Sequence, residues 1–178
     1  MDPMHDDTMF SAILHNTYTR ADFYRRVDFL RELLEHYFFD PVARESGRTH
    51  VIRTYRDGGI EAGQSDREAI IAWGEDTLNM LDAGNMHERI KELKHAAAAL
   101  PKFVLYVPVH LSPANISMLG IWCREHLRPD ILLDVHIDPS TTGGCAFADS
   151  SSYHDFSLSY FLRKERPSLM KLIRQYGE

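Results

Sequence analysis

At Pro101 the hydrophobic pattern of this chain changes period, and that change limits the folds open to it more than any other feature. Before Pro101 apolar residues recur at three and four positions. After it, Phe103, Leu105, Val107 and Val109 alternate with Val104, Tyr106 and Pro108. Side chains three or four apart share one face of a helix, whereas alternate side chains share one face of a strand. A half with helical spacing only, followed by a half that brings in strands, reads as α+β. The expectation is an N-terminal helical module over residues 1–100, followed over 101–178 by a small mixed β-sheet domain with flanking helices.

Within the first module the opening ten residues are polar and expected to be loose. A helix is expected from about Ala21, with Phe23, Val27, Leu30, Leu33, Leu34 and Tyr37 as its apolar stripe, Asp22 as its cap and Asp40-Pro41 as its end. Residues 41–64 carry Arg44, Arg48, Arg53, Arg56 and several glycines, which interrupt any long period. That insert is expected to be a surface loop, with Val51–Tyr55 as a short strand and Asp57-Gly58-Gly59 as a turn. Its arginines suit either solvation or contact with an acidic partner. Ser65-Asp66-Arg67-Glu68 has the form of a capping box and predicts one helix carrying Ile70, Ile71, Trp73, Leu78 and Leu81. Gly84-Asn85 breaks the pattern. A further helix follows with Met86, Ile90, Leu93, Ala97 and Leu100.

After Pro101 the order reads strand, helix, strand, strand, strand, helix. Ser112-Pro113 starts the first of these helices, with Ser as N-cap and Pro at the first helical position. That helix carries Ile116, Leu119, Ile121, Trp122 and Leu127, and Pro129-Asp130 ends it. Strands are expected over 131–137, 145–148 and 153–156, with the serines at 150–152 forming a hairpin. Two strands joined through a helix imply a parallel pair. The closing helix carries Leu158, Phe161, Leu162, Leu169, Leu172, Ile173 and Tyr176, and Pro167 should kink or split it.

The formal charge of −6 disfavours an extended nucleic-acid surface, which needs a basic excess. Cys123 and Cys145 make no disulfide framework or metal knuckle and suit a reducing compartment. The first residues lack the basic and apolar blocks of a secretory signal, and no apolar run approaches the length of a bilayer span, so membrane association is expected only through partners. His110, His136 and His154 lie near Asp134, Asp138 and Asp155. The chain has no His-x-x-x-His, His-x-His or Cys-x-x-Cys, so ordinary strand histidines are the plainer reading. Ser140, Ser157, His154 and Asp155 invite a hydrolytic triad, but there is no Gly-x-Ser-x-Gly elbow, and adjacent His154 and Asp155 point to opposite faces of a strand. Gly143-Gly144 matches neither phosphate-loop pattern. Neither catalytic residues nor a metal or cofactor site is expected.

Three short motifs stand together in the second half: Asp138-Pro139-Ser140, Gly143-Gly144 and Asp155-Phe156-Ser157. Asp138 can accept amide bonds from its turn, the glycines permit positive φ, and Asp155 or Ser157 can cap the final helix. With the strand entering Leu111-Ser112, this pattern over about residues 102–165 resembles the C-terminal domain of the delta subunit of the F-type ATP synthase. In mitochondria that subunit is called the oligomycin-sensitivity-conferring subunit. The chain departs from the family pattern at Ser150-Ser151, where Gly-Asp is usual, and at Phe156, where Gly is usual. The first turn of the last helix is apolar, with Arg163 and Lys164 somewhat later.

The resemblance implies a non-catalytic peripheral-stalk subunit without a cofactor. Residues 102–176 would bind the b-type stalk helices through Phe161, Leu162, Leu169, Leu172 and Ile173. Residues 1–100, the place of the family's six-helix bundle, would bind the alpha subunits of the catalytic head. The implied location is the cytoplasmic face of a bacterial inner membrane or the matching matrix or stromal side. Two other readings stand beside it: a regulatory or adaptor protein using the same domain in another assembly, and a small metal-dependent hydrolase built on His110, His136 and Asp138.

Overall fold

In the computed structural model, residues 8–55, 63–149 and 152–176 are described. The fold is α+β, with ten helices and one four-stranded mixed sheet among those residues. The chain divides into two compact units, Met1–Leu100 and Pro101–Glu178.

The described part of the first unit contains helices only: α1 (Thr8–His15), α2 (Arg20–Phe39), α3 (Pro41–Ser46), α4 (Arg48–Thr54), α5 (Gln64–Ala72), α6 (Glu75–Asn79) and α7 (Met86–Ala99). The expected stripe of α2 holds, with Phe23, Val27, Leu30, Leu33 and Leu34 all buried. Its cap is Thr19 rather than Asp22. The Thr19 hydroxyl accepts the Asp22 N–H at 3.0 Å, and the Asp22 carboxylate pairs instead with Arg25. The opening residues are not all loose: Met9, Phe10, Ile13 and Leu14 of α1 are buried, and the Phe10 ring meets Phe23 edge-on.

The insert is corrected most. Residues 41–54 form two short helices, not a loop with a strand. Asp40 caps α3 by accepting the Val42 N–H at 2.8 Å, and Pro41 occupies a first-turn position where no amide is needed. Gly47, at φ 80°, turns the chain into α4. Val51 and Ile52 are buried there beside Leu30, Leu33 and Leu34 of α2, a gain that outweighs their β-branched preference for strands. Arg48 donates to the carbonyls of Leu78 and Leu81 and lies over the Tyr37 and Phe38 rings, so it is a structural tie. Arg44 and Arg53 are exposed. Arg56 and the expected Asp57-Gly58-Gly59 turn lie outside the described residues.

The helix expected over Ser65 to Leu81 is two helices, parted at Gly74 with φ 88°. The cap is not Ser65 with Glu68. Instead the Asp66 carboxylate accepts the Gly63 N–H at 3.2 Å. The same carboxylate binds Arg25 twice, at 2.8 and 3.0 Å, and Arg26 Nε at 3.0 Å. Arg26 Nη1 continues to the Asn16 carbonyl and the Thr17 hydroxyl, so one carboxylate fixes the α1–α2 turn to the start of α5. Asn85 does not cap α7 through its side chain. It closes the preceding turn, where Asp82 accepts the Gly84 and Asn85 N–H groups.

The second unit contains β1 (Phe103–Val107), α8 (Pro113–His126), β2 (Leu133–Ile137), β3 (Ala146–Ala148), β4 (Tyr153–Asp155), α9 (Leu158–Lys164) and α10 (Arg166–Tyr176). The sheet order is β2-β1-β3-β4. β1 pairs in parallel with β2, and the other two pairs are antiparallel. Ser112 caps α8 by accepting the Asn115 N–H at 3.2 Å. Cys123 of α8 packs with Ile131 and Leu133, flanked by Phe103, Leu119 and Val135. Alternate residues of β1 and β2 therefore meet one helix face, which is the physical reason for the period-two signal after Pro101. Val109, expected on the same face, lies beyond the strand end and is exposed. The closing helix is split at Glu165, one residue before α10, and Pro167 sits in the first turn of α10.

Candidate functional site

Two of the three motifs of the second unit meet in one clasp, and the third closes a turn just before it in the chain. The Asp138 carboxylate accepts the Ser140 N–H at 2.9 Å and the Ser140 hydroxyl at 2.6 Å, while the Asp138 carbonyl accepts the Thr141 N–H at 3.0 Å. These Ser140 bonds hold the Asp138 carboxyl below its ordinary range. At the other end the Asp155 carboxylate accepts the Ser157 N–H at 2.8 Å, and the bonding from Ser157 likewise lowers its pKa.

Between them lie the glycines, at φ 67° for Gly143 and 76° for Gly144. The Gly143 carbonyl accepts the Leu158 N–H at 3.1 Å, and the Cys145 carbonyl accepts the Phe156 N–H at 2.9 Å. A Cβ on Gly144 would lie 2.3 Å from the Phe156 carbonyl oxygen, so backbone meets backbone there without room for a side chain. The glycine pair and the Asp-x-Ser thus form the two halves of one strand-to-helix junction. The Phe156 ring stacks on Phe147, centroids 5.6 Å apart.

Ser157 is buried and caps α9, accepting the Tyr160 N–H at 3.2 Å. Replacing Ser157 by alanine should cost about 1 kcal/mol through loss of the cap. Urea denaturation of the full chain measures it, and Ser157→Thr should recover most of the loss.

From this junction the chain displays apolar surface. Neither α9 nor α10 has a buried residue. Phe161, Leu162, Leu169, Leu172 and Ile173 are between 37% and 64% exposed. On α10, Leu169, Leu172, Ile173 and Tyr176 recur at three and four residues and share one face, with Lys171 and Arg174 away from it. Such a face is shaped to pack against another helix.

The other candidate chemistries are not assembled. Among the described residues no three or more His, Cys, Asp or Glu converge into a set able to hold a metal ion. His136 Nε2 lies 3.3 Å from Asp134 on the same strand face, and His110 lies past the end of β1. His154 Nε2 pairs with the Ser152 hydroxyl at 3.2 Å, not with Ser140 or Ser157, so the triad has no geometric basis. Burial raises the Cys123 thiol pKa, which makes it a poor nucleophile at neutral pH. No described helix is long and apolar enough to cross a membrane.

Sequence reasoning did not single out the surface between β4 and α9. Tyr153, Phe156, Tyr160 and Phe161 line a groove there of about 490 Å³, with Lys164 at its side. Its signal is present as four aromatic residues, one within the Asp-x-Ser and the other three flanking it. No family model, curated protein or solved structure matches the chain.

Proposed function

We propose that this protein is a delta-type peripheral-stalk subunit of a rotary F-type ATP synthase, a linker with no reaction of its own. The observation that carries the reading is the company the delta-like C-terminal unit keeps: the described part of the N-terminal unit is helical throughout, including the 41–54 stretch where a loop was expected. A bundle-like helical N-terminal half favours a delta subunit over an unrelated adaptor that has borrowed the C-terminal domain. The family's bundle has six helices. Here there are seven described segments, of which α5 and α6 are parted only by Trp73 and Gly74.

In this reading the apolar face of α9 and α10 receives b-type stalk helices, and the N-terminal unit binds the alpha subunits of the head. The protein then sits at the membrane only through its partners, on the cytoplasmic, matrix or stromal side. Its mechanical task is to stop the head turning with the rotor. Two modest contacts on one chain suffice, because the second becomes intramolecular once the first has formed.

The test is isolation of the protein from its native membranes under mild detergent. Head and stalk subunits should accompany it in fixed proportion. Recovery in the soluble fraction without them overturns the reading and leaves an adaptor role. Leu172→Asp combined with Ile173→Asp should abolish stalk association. Because both side chains are already half exposed or more, folding stability should change by no more than about 0.5 kcal/mol.

A further inference from the structure

β4 is an edge strand whose outer side is open. Its inner side is fully used: the pairs Ala146–Asp155, Phe147–His154 and Ala148–Tyr153 fix the register. The flanking bonds, Phe156 N–H to Cys145 and Asp149 N–H to Ser152, fix which residues face β3. In an antiparallel pair alternate residues carry the ladder bonds. Ser152, His154 and Phe156 therefore direct their backbone groups to β3, and Tyr153 and Asp155 direct theirs outward. Among the described residues no strand pairs with that side.

Edges that only need protection carry charged side chains, proline or a covering element. This one is short and carries Asp155, but aromatic rings border it as well. Tyr153, Phe156, Tyr160 and Phe161 flank it and, with α9, enclose the groove of about 490 Å³. Tyr153 is 63% exposed even with its ring 6.4 Å from that of Tyr106, which leaves most of it open to cover a guest. The two cations nearby differ. Arg163 faces the Asp155 carboxylate at 3.8 Å and donates to the Ser159 carbonyl. Lys164 lines the groove and has no ion-pair partner among the described residues.

We infer that the β4–α9 groove binds an extended peptide segment as a fifth strand, with a large apolar side chain against the aromatic rings and a carboxylate on Lys164. Backbone groups of Tyr153 and Asp155 supply the ladder, the rings select the side chain, and Lys164 fixes direction. A helix cannot satisfy the outward N–H and C=O groups, because its own are already bonded. The site shares Phe161 with the apolar face of α9 and α10 but is otherwise built from β4 and its junction with α9, and it holds whether or not the stator reading does.

The experiment is selection of short random peptides, displayed on phage, against the immobilised full-length chain. Enriched sequences should be β-branched and aromatic, alternate in polarity and share an acidic position. A synthetic peptide of the leading sequence should slow amide exchange at Tyr153 and Asp155 in NMR spectra. Lys164→Glu should weaken it about tenfold. Tyr153→Pro removes an outward N–H without touching the β3 ladder and should abolish binding. Tyr153→Ala, which keeps the N–H, should only weaken it. No enrichment, enriched sequences with apolar residues at helical spacing, or exchange at Tyr153 and Asp155 unchanged by the bound peptide would each overturn the proposal.

Discussion

Gly144→Ala is expected to destabilise the C-terminal unit by about 3 kcal/mol or more, while Gly143→Ala costs only about 1 kcal/mol. Both glycines hold positive φ, so both substitutions meet the same conformational penalty. They differ in what the new methyl touches. At Gly143 it would meet Leu158 Cβ at 3.7 Å, an ordinary contact. At Gly144 it would meet the Phe156 carbonyl oxygen at 2.3 Å and the Ser157 Cα at 3.3 Å. Neither neighbour is a side chain able to rotate away, so the clasp must open. Hydrogen exchange over residues 145–158, followed by mass spectrometry, should show protection largely lost in Gly144→Ala and kept in Gly143→Ala. Equal effects from the two would mean that φ alone sets the cost and that the close approach is unimportant.

The second large effect is expected in the N-terminal unit, where Asp66→Ala should cost about 3–5 kcal/mol. The Asp66 side chain is 3% exposed and that of Arg26 is 11% exposed. Removing the carboxylate leaves the Arg26 charge buried with the Asn16 carbonyl and Thr17 hydroxyl but without its counter-ion, beside the like charge of Arg25 that shared it, which is far worse than never having had the pair. Burial by itself would raise the Asp66 pKa. The hydrogen bonds from Arg25 and Arg26, with their charges, outweigh it and hold the group below its ordinary value. The folded protein therefore binds the proton less tightly than the unfolded chain. The stabilisation is complete above the unfolded value of about 4 and is lost as pH falls through the lower folded one. Urea midpoints of the N-terminal unit, measured from neutral pH downward, should fall with acid in the native sequence. In Asp66→Asn, already weakened, much of that acid dependence should be gone.

The parts of the fold legible in the sequence were those fixed by local periodicity. The α2 stripe, the switch at Pro101, the Ser112 cap and the split near Pro167 all depend on residues within a turn or two of each other. The insert was misread because its signal is tertiary. Val51 and Ile52 look like a strand until α2 is present to bury them. Two helices of six and seven residues joined at Gly47 are also too short to show a period. Thr19 and Asp22 are both good caps by type, and only the path of the chain out of the Thr17 turn chooses between them. At the candidate site, residue type revealed that Gly143 and Gly144 needed special backbone angles. It could not reveal that Gly144 is held against a carbonyl twelve residues away. Nor could amphipathic spacing in α10 say whether its apolar face is covered, since a buried and a displayed helix share the same pattern.

The sheet order has a consequence during synthesis. β1 is the central pair-former of the sheet yet the first of its strands to be made. Its parallel neighbour is complete only at Ile137 and its antiparallel one only at Ala148. At roughly 5–20 residues per second the interval from Val107 to Ala148 lasts several seconds, with both edges of an apolar strand lacking partners until Ile137 and one until Ala148. The helical unit ahead of it needs no such wait, because α7, the last helix it needs to pack on α2, is already made when β1 emerges. The ribosome thus releases a finished half joined to an unfinished one, and the unfinished half is where nascent chains of this protein are most open to chaperones.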